Sequence, residues 1–533
     1  MKISNIFKTC APAALLMLTA CNSWLSEPTP GVTGLDEFFT SGAACEQVVN
    51  GCYAPLAWEF NKTYFSEWFI GDIASDDALK GGQNKADGSD AYDIDNFKTN
   101  ANNGILLDYY RAKYMGISRC NLAIREIAKY QPDTTLTVET QNRMIGEARF
   151  LRGFYYFQLV RVFGGVPLSL DVIESDANWR SPRASVSDIY DAIVADFEAA
   201  EKLLWAKSAY APEDLGRATR GAARAMLCKA NLYRKNYDEA YKWGKKFIDE
   251  EYNAGEYSLF TNYADNFTLA GENGSESVFE IQYMADPTSD YGEGFGFTRG
   301  TFGAILTRPR LDSMGSNKGW GWNHPTQNLF DEYEAGDPRR ELTIGVPSAE
   351  EASSVEVNYL GSPYYNMKVS QVENNMYPAL DHDSRGALNY RLVRASDVLL
   401  LFAEAALESG KSETEAKWAL EQVRSRARMM ASDSNALPEF PNYLGYSNNA
   451  ESLRKAIRHE RRVELAMEGH RWFDLVRWGI AAEVMDKDNG SYGKNESAEA
   501  REEMASFIKG KHELFPIPSE EIALNPMEQN NGY

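Results

Sequence analysis

The sequence lacks the patterns that mark several common kinds of catalytic or metal site. It contains no Cys-x-x-Cys pair, which removes the usual ligand spacing of structural zinc and of thioredoxin-like redox sites. It contains no Gly-x-Ser-x-Gly nucleophile elbow, and the glycine-rich stretch 292–296 is not followed by Gly-Lys-Ser or Gly-Lys-Thr. These absences argue against serine-hydrolase and nucleotide-dependent chemistry. No motif in the chain calls for a cofactor, so none is predicted.

Basic residues are also few for the length of the chain. The sequence has 55 Lys and Arg residues against 77 Asp and Glu residues, a net charge of -22. Such a chain is repelled by polyanions, so nucleic acid and anionic lipid surfaces are disfavoured as partners. Beyond residue 20 no apolar run has the length of a membrane-spanning helix.

The N-terminus has the pattern of an exported, lipid-anchored protein. Two lysines precede a short apolar run, residues 11–20, which is typical of a secretory signal. The run ends in Leu-Thr-Ala before Cys21, which resembles the lipobox where a bacterial lipoprotein is cleaved and acylated. We expect residues 1–20 to be a signal peptide, Cys21 to carry lipid, and the Pro-rich residues 21–35 to form a tether.

Four cysteines remain in the predicted mature body beyond the lipid-bearing one, namely Cys45, Cys52, Cys120 and Cys228. Four cysteines allow three disulfide pairings, and an exported protein meets oxidising conditions. Buried free thiols are the preferred interpretation, with a disulfide as the alternative.

Helical periodicity dominates the sequence outside its central part. Apolar side chains recur at three- and four-residue steps over 143–163, which predicts a helix that ends at Gly164. A further helix is predicted over 187–204. Residues 217–250 and 394–428 each predict a hairpin of two helices, and the first has the 34-residue period of a tetratricopeptide repeat.

The second hairpin carries its own boundary signals. Gly410 is expected to end its first helix, and Ser412 with Glu415 fits a capping box at the start of the next. The predicted fold is therefore mainly α, with tetratricopeptide-like hairpins as scaffold.

The central residues 251–390 are rich in Gly, Asn, Asp, Pro and aromatic residues, which predicts loops and short strands. We expect a single unit over 36–533. Its helical scaffold spans 36–250 and 391–533, and its ligand-binding subregion spans 251–390.

Several segments, taken in order, resemble the SusD/RagB family of outer-membrane nutrient-binding lipoproteins. They are EARFLRGFYYFQLVRVFGGVPL (147–168), ATRGAARAMLCKA (218–230), WNHPTQ to DPRR (322–340), ERRVELAMEGHRWFDLVRWG (460–479), LFPIP (514–518) and QNNGY (529–533). The last segment has Asn531 where the family usually has proline. The resemblance implies a non-catalytic receptor at the cell exterior, anchored in the outer membrane through Cys21, which passes an oligosaccharide or polysaccharide to a SusC-like TonB-dependent transporter.

Aromatic residues in predicted loops are the candidates for sugar contact, because the C–H face of a sugar is flat and apolar. Covering about 100 Å² of such a face contributes roughly 2.5 kcal/mol, so two or three rings are needed. The candidate glycan-binding residues are Tyr92, Tyr291, Phe295, Trp320 and Trp322. For Trp322 a place in the core is the preferred interpretation, because it lies inside a family segment.

The remaining polar motifs have simpler interpretations. His459-Glu460 begins like a zinc-protease helix, but Val463 stands where the second histidine ligand belongs. The pairs Arg461 with Glu464 and Glu468 with Arg471 predict a charge-laced amphipathic helix. The acidic cluster Asp87, Asp90, Asp93 and Asp95 and the sequence Asp381-His382-Asp383 both miss the spacing of a calcium loop, so no metal is predicted.

Two other functions remain open from the sequence. A helical glycoside hydrolase could draw an acid and a base from Glu272, Glu276 and Glu280. A peptide-binding helical-repeat adaptor of the same transport system is the other alternative.

Overall fold

Helices form most of the chain and surround one large apolar core, as a computed structural model shows. The model describes residues 38–57, 68–174, 179–289, 299–352, 362–372, 378–492 and 498–533. Within these ranges only short strands accompany the helices, so the predicted mainly α fold class is confirmed. No helix in the same ranges has the length and apolar character needed to cross a membrane.

The elements are numbered here in chain order. The first helices are α1 (Gly42–Tyr53), α2 (Trp68–Ile73), α3 (Ser89–Asp95), α4 (Gly104–Lys129), α5 (Val138–Phe163), α6 (Val186–Leu203), α7 (Arg220–Tyr233) and α8 (Tyr237–Phe247). The central ones are α9 (Gly303–Thr307), α10 (Gln327–Glu332), α11 (Arg339–Thr343) and α12 (Ala349–Ala352). The last are α13 (Ala395–Glu408), α14 (Glu413–Met430), α15 (Ala450–Leu465), α16 (Arg471–Trp478), α17 (Ala481–Val484), α18 (Ala498–Glu503) and α19 (Ser519–Leu524). The strands are β1 (Ala78–Gly81), β2 (Ser277–Ile281), β3 (Trp322–Pro325), β4 (Ile344–Gly345), β5 (Tyr365–Asn366) and β6 (Tyr390–Arg394).

The long helix α5 ends where its sequence predicts and begins earlier. Gly164 adopts a φ of 71° and its amide donates to the carbonyl of Val160, so the predicted glycine cap is confirmed. The helix starts at Val138 because the hydroxyl of Thr137 accepts the amide of Thr140 at 3.2 Å. This cap lies six residues before the first residue of the predicted helix.

Both predicted hairpins are present, as α7 with α8 and as α13 with α14. Gly244 on α8 permits close packing, since a Cβ there would lie 3.1 Å from the sulfur of Cys228 and 3.0 Å from the ring of Phe402. Gly410 ends α13 with a φ of 66°, and the hydroxyl of Ser412 accepts the amide of Glu415 at 3.1 Å. Small residues and caps therefore fix how these helices approach one another.

Residues 251–390 contain loops, short helices and short strands, as predicted, and their strands also pair with the flanking scaffold. β2 pairs antiparallel with β6, which leads directly into α13. β3 pairs antiparallel with β1 from the N-terminal part of the chain. The central region is thus attached to the scaffold on both sides through backbone hydrogen bonds.

A cluster of buried ions lies where the central region meets the last helices. Its members, here called the ion cluster, are Glu276, Asp337, Arg339, Lys368, Arg394, Arg426, Glu460, Glu464 and Glu468. Glu464 is central, since its carboxylate lies 2.6 Å from Arg426, 3.0 Å from Arg394 and 3.1 Å from Arg339. Each of these charges has opposite charges around it, which offsets the loss of water.

The predicted pairs within one amphipathic helix are therefore wrong. Arg461 pairs with Asp397 at 2.9 Å and with Asp474 at 3.0 Å, instead of with Glu464. Arg471 pairs with Asp76 at 2.7 Å. Arg461 and Glu464 are buried on α15, so their partners come from other elements and not from the next turn. Glu468 lies between α15 and α16 and Arg471 starts α16, so these two residues do not share a helix.

The N-terminal and C-terminal parts of the chain meet at three aspartates. Asp72 lies in the last turn of α2, and Asp76 and Asp77 lie between α2 and β1. Arg462 lies 2.8 Å from Asp77 and 3.0 Å from Asp76, and the amide of Gly469 donates to Asp72 at 2.8 Å. Burial opposes ionisation here, but Arg462 and its neighbour Arg471 lower the pKa of Asp76 to about 2. The segment that leads into β1 is held by the C-terminal helices.

Candidate functional site

The candidate site is built on the two-stranded ribbon of β1 and β3. Gly81 pairs with Trp322, and the amide of Gly82 donates to the carbonyl of Gly321 at 2.6 Å. The amide of Trp320 in turn donates to the carbonyl of Ile305 at 2.8 Å, next to α9. This hydrogen bonding fixes the turn that carries both tryptophans of the segment.

Residues 82–88, here called the glycine loop, connect β1 to α3 and cover Trp322. Gly82 and Gly88 both have positive φ, 86° and 73°. A Cβ at Gly82 would lie 2.7 Å from the ammonium of Lys80, and one at Gly88 would lie 2.4 Å from the ring of Trp322. The loop approaches these side chains so closely that only glycine fits at either end.

Asp87 attaches the loop to the ribbon. One of its carboxylate oxygens accepts the indole N–H of Trp322 at 3.1 Å and the amide of Gln83 at 3.0 Å. Residues 83–86 of the loop are exposed. The loop therefore presents polar side chains to solvent above a fixed aromatic base.

The aromatic side chains form a row beneath and beside the loop. The ring centroids of Trp320 and Trp322 lie 6.3 Å apart, and those of Trp320 and Phe302 lie 6.4 Å apart. Phe69 packs against Trp322 from below at 5.9 Å. Trp322 is 3% exposed, whereas Trp320 is half-buried, so Trp320 is the ring of this row that reaches the surface.

A lysine is buried under the row. The ammonium of Lys80 lies 4.2 Å from the centroid of Trp322 and 3.7 Å from the carboxylate of Asp87, whose backbone carbonyl also accepts a hydrogen bond from it. Burial lowers the pKa of Lys80 to about 8. Burial, with Lys80 and Arg310 nearby, also lowers the pKa of His324 to about 4, so that imidazole is neutral.

Three of the five predicted glycan-binding residues meet at the glycine loop. Tyr92 on α3 lies beneath it, with the ammonium of Lys85 5.9 Å from its ring, and is 4% exposed. Tyr92 and Trp322 thus belong to the packed support of the site, and Trp320 to its surface. Tyr291 and Phe295 lie outside the described residues.

A second concave feature lies on the other side of the central region. It is a cleft of about 510 Å³ between the end of α1, the turn 213–217, and the strand β2 with the residues after it. Its lining includes Tyr53, Tyr283 and Met284, and Met284 is 53% exposed. The sequence did not predict this cleft, because its walls come from three distant segments.

The acidic residues proposed for a hydrolase have structural partners. Glu276 is fully buried against Arg394 at 2.5 Å and Arg426 at 3.2 Å. Glu280 pairs with Arg391 at 3.3 Å, and Glu272 accepts the amide of Asn389 at 2.8 Å. These carboxylates are held by cations and amides in the interior, which does not favour the hydrolase interpretation.

The other predicted polar and thiol groups also stabilise the fold. Asp90 accepts the amide of Gly104 at 2.8 Å, and Asp95 accepts that of Lys80 at 2.8 Å. Across the described ranges, no three His, Cys, Asp or Glu side chains converge as a metal site. His459 contacts Glu332 at 2.7 Å, as a structural ion pair. Cys45, Cys52, Cys120 and Cys228 are buried free thiols, the preferred prediction.

The structure is a helical scaffold that carries aromatic side chains on a two-stranded ribbon. Two family models match the chain, one described as the SusD family over residues 341–533 and one described as starch-binding associating with outer membrane over 32–232. Both are models of SusD-type proteins, and they match two different parts of this chain. The predicted resemblance is therefore confirmed.

Individual relatives extend the similarity to nearly the whole chain. The SusD-like protein P2 of Formosa agariphila is 26% identical, over 97% of this chain and 98% of that protein. A solved laminarin binding SusD-like protein is 27% identical with a TM-score of 0.76, over 92% of this chain and 99% of that one. Surface glycan-binding protein A from Bacteroides fluxus is 24% identical with a TM-score of 0.77, over 92% and 99%. These relatives are named as SusD-like or binding proteins, which confirms the non-catalytic class.

Proposed function

We propose that this protein binds an oligosaccharide or polysaccharide at the outer surface of the outer membrane and delivers it to a SusC-like TonB-dependent transporter. The observation that carries the proposal is the similarity, over 92% of the chain, to a protein named for laminarin binding. The family description that includes starch binding and association with the outer membrane supports it. The lipobox before Cys21 supplies the anchor.

The proposed contact surface is Trp320 with the exposed residues of the glycine loop. The half-buried indole of Trp320 is held edge-on by Trp322 and Phe302, so its position is set before any ligand arrives. Stacking of one sugar ring on such a surface contributes roughly 2.5 kcal/mol. Tyr291 and Phe295 remain predicted contacts, because two or three rings are needed for useful affinity.

The test is a glycan array with the full-length protein, followed by titration calorimetry with each glycan that binds, laminarin included. We expect Trp320→Ala to weaken binding by roughly 30-fold or more, which corresponds to about 2 kcal/mol. Trp179→Ala is the matched control, because Trp179 is also a partly exposed tryptophan (40%) and lies away from the loop. A broad panel without any binding glycan would refute the function, and equal affinity of the two variants would refute the surface.

The anchor and the partner are tested separately. Cys21→Ala in the full-length gene should move the protein from the membrane fraction to the soluble fraction, because acylation of the cysteine is lost. The wild-type protein should co-purify from gently solubilised membranes with a TonB-dependent transporter identified by mass spectrometry. A variant that stays in the membrane fraction contradicts the lipid anchor.

A further inference from the structure

We propose that Lys80 is a positioning residue for the ligand surface: its buried ammonium holds the glycine loop against Trp322 and thereby sets the position of Trp320. The effect of Lys80 on ligand binding rests on the proposed glycan-binding function. Lys80 itself does not reach the surface, since its side chain is fully buried.

A charged group in this place calls for an explanation. Moving an ammonium out of water is unfavourable by several kcal/mol unless it gains strong contacts. The contacts that Lys80 gains are all with the loop and the ribbon, namely the ring of Trp322 and the backbone carbonyl and carboxylate of Asp87. The ammonium therefore joins the two pieces that form the site.

The contacts form a continuous path from Lys80 to the surface. Asp87 binds both the ammonium and the indole N–H of Trp322, so the ring is fixed at its face and at its edge. Trp322 then packs edge-to-face on Trp320. A shift of Trp322 would remove an aromatic neighbour from Trp320.

The glycines show how closely this arrangement fits. The ammonium of Lys80 would lie 2.7 Å from a Cβ at Gly82, and the Trp322 ring 2.4 Å from a Cβ at Gly88. At both ends of the loop, the glycine backbone itself therefore lies against a side chain: Gly82 against Lys80 and Gly88 against Trp322. A neutral side chain in place of Lys80 keeps the apolar stem but loses the attraction to Asp87 and the cation–π contact.

The charges that face Lys80 are few. Asp87 and Asp95 lie on the anionic side, and Arg310 and His324 lie on the other. The pKa of Lys80 is about 8, and that of His324 is about 4. At pH 7 Lys80 is therefore mostly protonated and His324 is neutral, so the contacts with the loop are made by an ammonium.

Two amides report on the loop without any ligand. The amide of Gly82 donates to Gly321, and that of Gln83 donates to Asp87. In Lys80→Met we expect these amides to lose at least tenfold of their hydrogen-exchange protection, corrected for intrinsic rates. Unchanged protection would overturn the proposal whatever the outcome with glycans.

Affinity is the second measurement. With the glycan found on the array, we expect Lys80→Met to bind roughly tenfold more weakly than the wild-type protein at pH 7. Lys207→Met is the matched control, because Lys207 is also largely buried over an aromatic ring, 4.9 Å from Tyr257, with a pKa lowered to about 8. It should keep the wild-type affinity.

The outcomes separate the two proposals. Equal affinity of Lys80→Met and wild type, or an equal loss of affinity in Lys207→Met, would overturn the role of Lys80. If the wild-type protein binds no glycan, the proposed function is refuted, and the role of Lys80 in ligand binding is refuted with it. The hydrogen-exchange data would still decide whether Lys80 holds the loop.

Discussion

Arg394 and Glu464 form an ion pair at 3.0 Å in which neither side chain is more than 1% exposed. Arg394 ends β6 and Glu464 lies in the last turn of α15, so the pair joins the central region to the C-terminal helices. Glu276, the residue before β2, contacts the same guanidinium at 2.5 Å. The stability of this junction therefore depends on charges that have no access to water.

Glu464→Gln should destabilise the protein strongly, because it leaves Arg426, Arg394 and Arg339 with one fewer anion in the interior. We expect the free energy of unfolding to fall by about 3–5 kcal/mol, measured by urea denaturation. Glu451→Gln on the same helix is the control, since Glu451 forms only an exposed pair with Lys455. If the two variants unfold at the same urea concentration, the ion cluster does not stabilise the fold.

His459 should make stability depend on pH in the neutral range. Burial alone lowers its pKa, but hydrogen bonds to Glu332 and Glu334 dominate and raise the pKa to about 9. Because the folded pKa exceeds the unfolded value of about 6.5, this contribution is complete below pH 6.5 and is lost as the pH rises towards 9.

The measurement is the free energy of unfolding at pH 6, 7 and 8 for wild type and His459→Gln. The wild-type protein should lose more stability than the variant across this range. Parallel profiles would mean that His459 is not protonated in the folded protein.

Gly88→Ala should disturb the glycine loop for two reasons, an unfavourable backbone conformation and a steric clash with Trp322. Its φ of 73° is unfavourable for alanine, and the added Cβ would lie 2.4 Å from Trp322. Gly410→Ala is the matched control, because Gly410 has a φ of 66° and open space around it.

We expect the control to be destabilised by about 1 kcal/mol and Gly88→Ala by more, as determined by urea denaturation. Gly88→Ala alone should also weaken glycan binding. Equal destabilisation of the two variants would show that the ring and the loop are not in tight contact.

The four buried cysteines should resist alkylation in the folded protein. Burial raises the pKa of Cys45, Cys120 and Cys228, so little reactive thiolate is present. We expect iodoacetamide to modify Cys45, Cys52, Cys120 and Cys228 only after denaturation, without added reductant, as read by peptide mass spectrometry. Peptides that need reduction first would show a disulfide instead.

The helical hairpins could be predicted because their signals are local. Gly164, Gly410 and Ser412 act within one turn of the backbone, and apolar periodicity marks the buried face of each helix. The start of α5 at Val138 was missed because a threonine cap is a weaker signal than a glycine end.

The ion cluster could not be predicted from the sequence. Arg461 and Glu464 are three residues apart, which on an exposed helix makes them partners. Their true partners lie up to 125 residues away, as with Glu464 and Arg339. Only the tertiary fold shows that this helix is buried.

The candidate site was predicted in part. Polar and glycine neighbours suggested that Tyr92 lies in an exposed loop, but its ring is buried, whereas Trp322 lies in the core as the preferred interpretation expected. Gly82 is needed because the ammonium of Lys80 approaches its backbone, and Gly88 because the ring of Trp322 does. From composition alone, such a tightly packed loop looks the same as an open, solvent-exposed one. Trp320 is the described candidate that reaches the surface.

The contact of Asp76 and Asp77 with Arg462 also bears on how the protein is made. Almost 400 residues separate these partners, so a growing chain carries its aspartates long before their arginine appears. The β1 segment and its lysine cannot reach their final environment until the C-terminal helices arrive. A product truncated before residue 462 would thus retain most of its hairpins yet have no formed ligand surface.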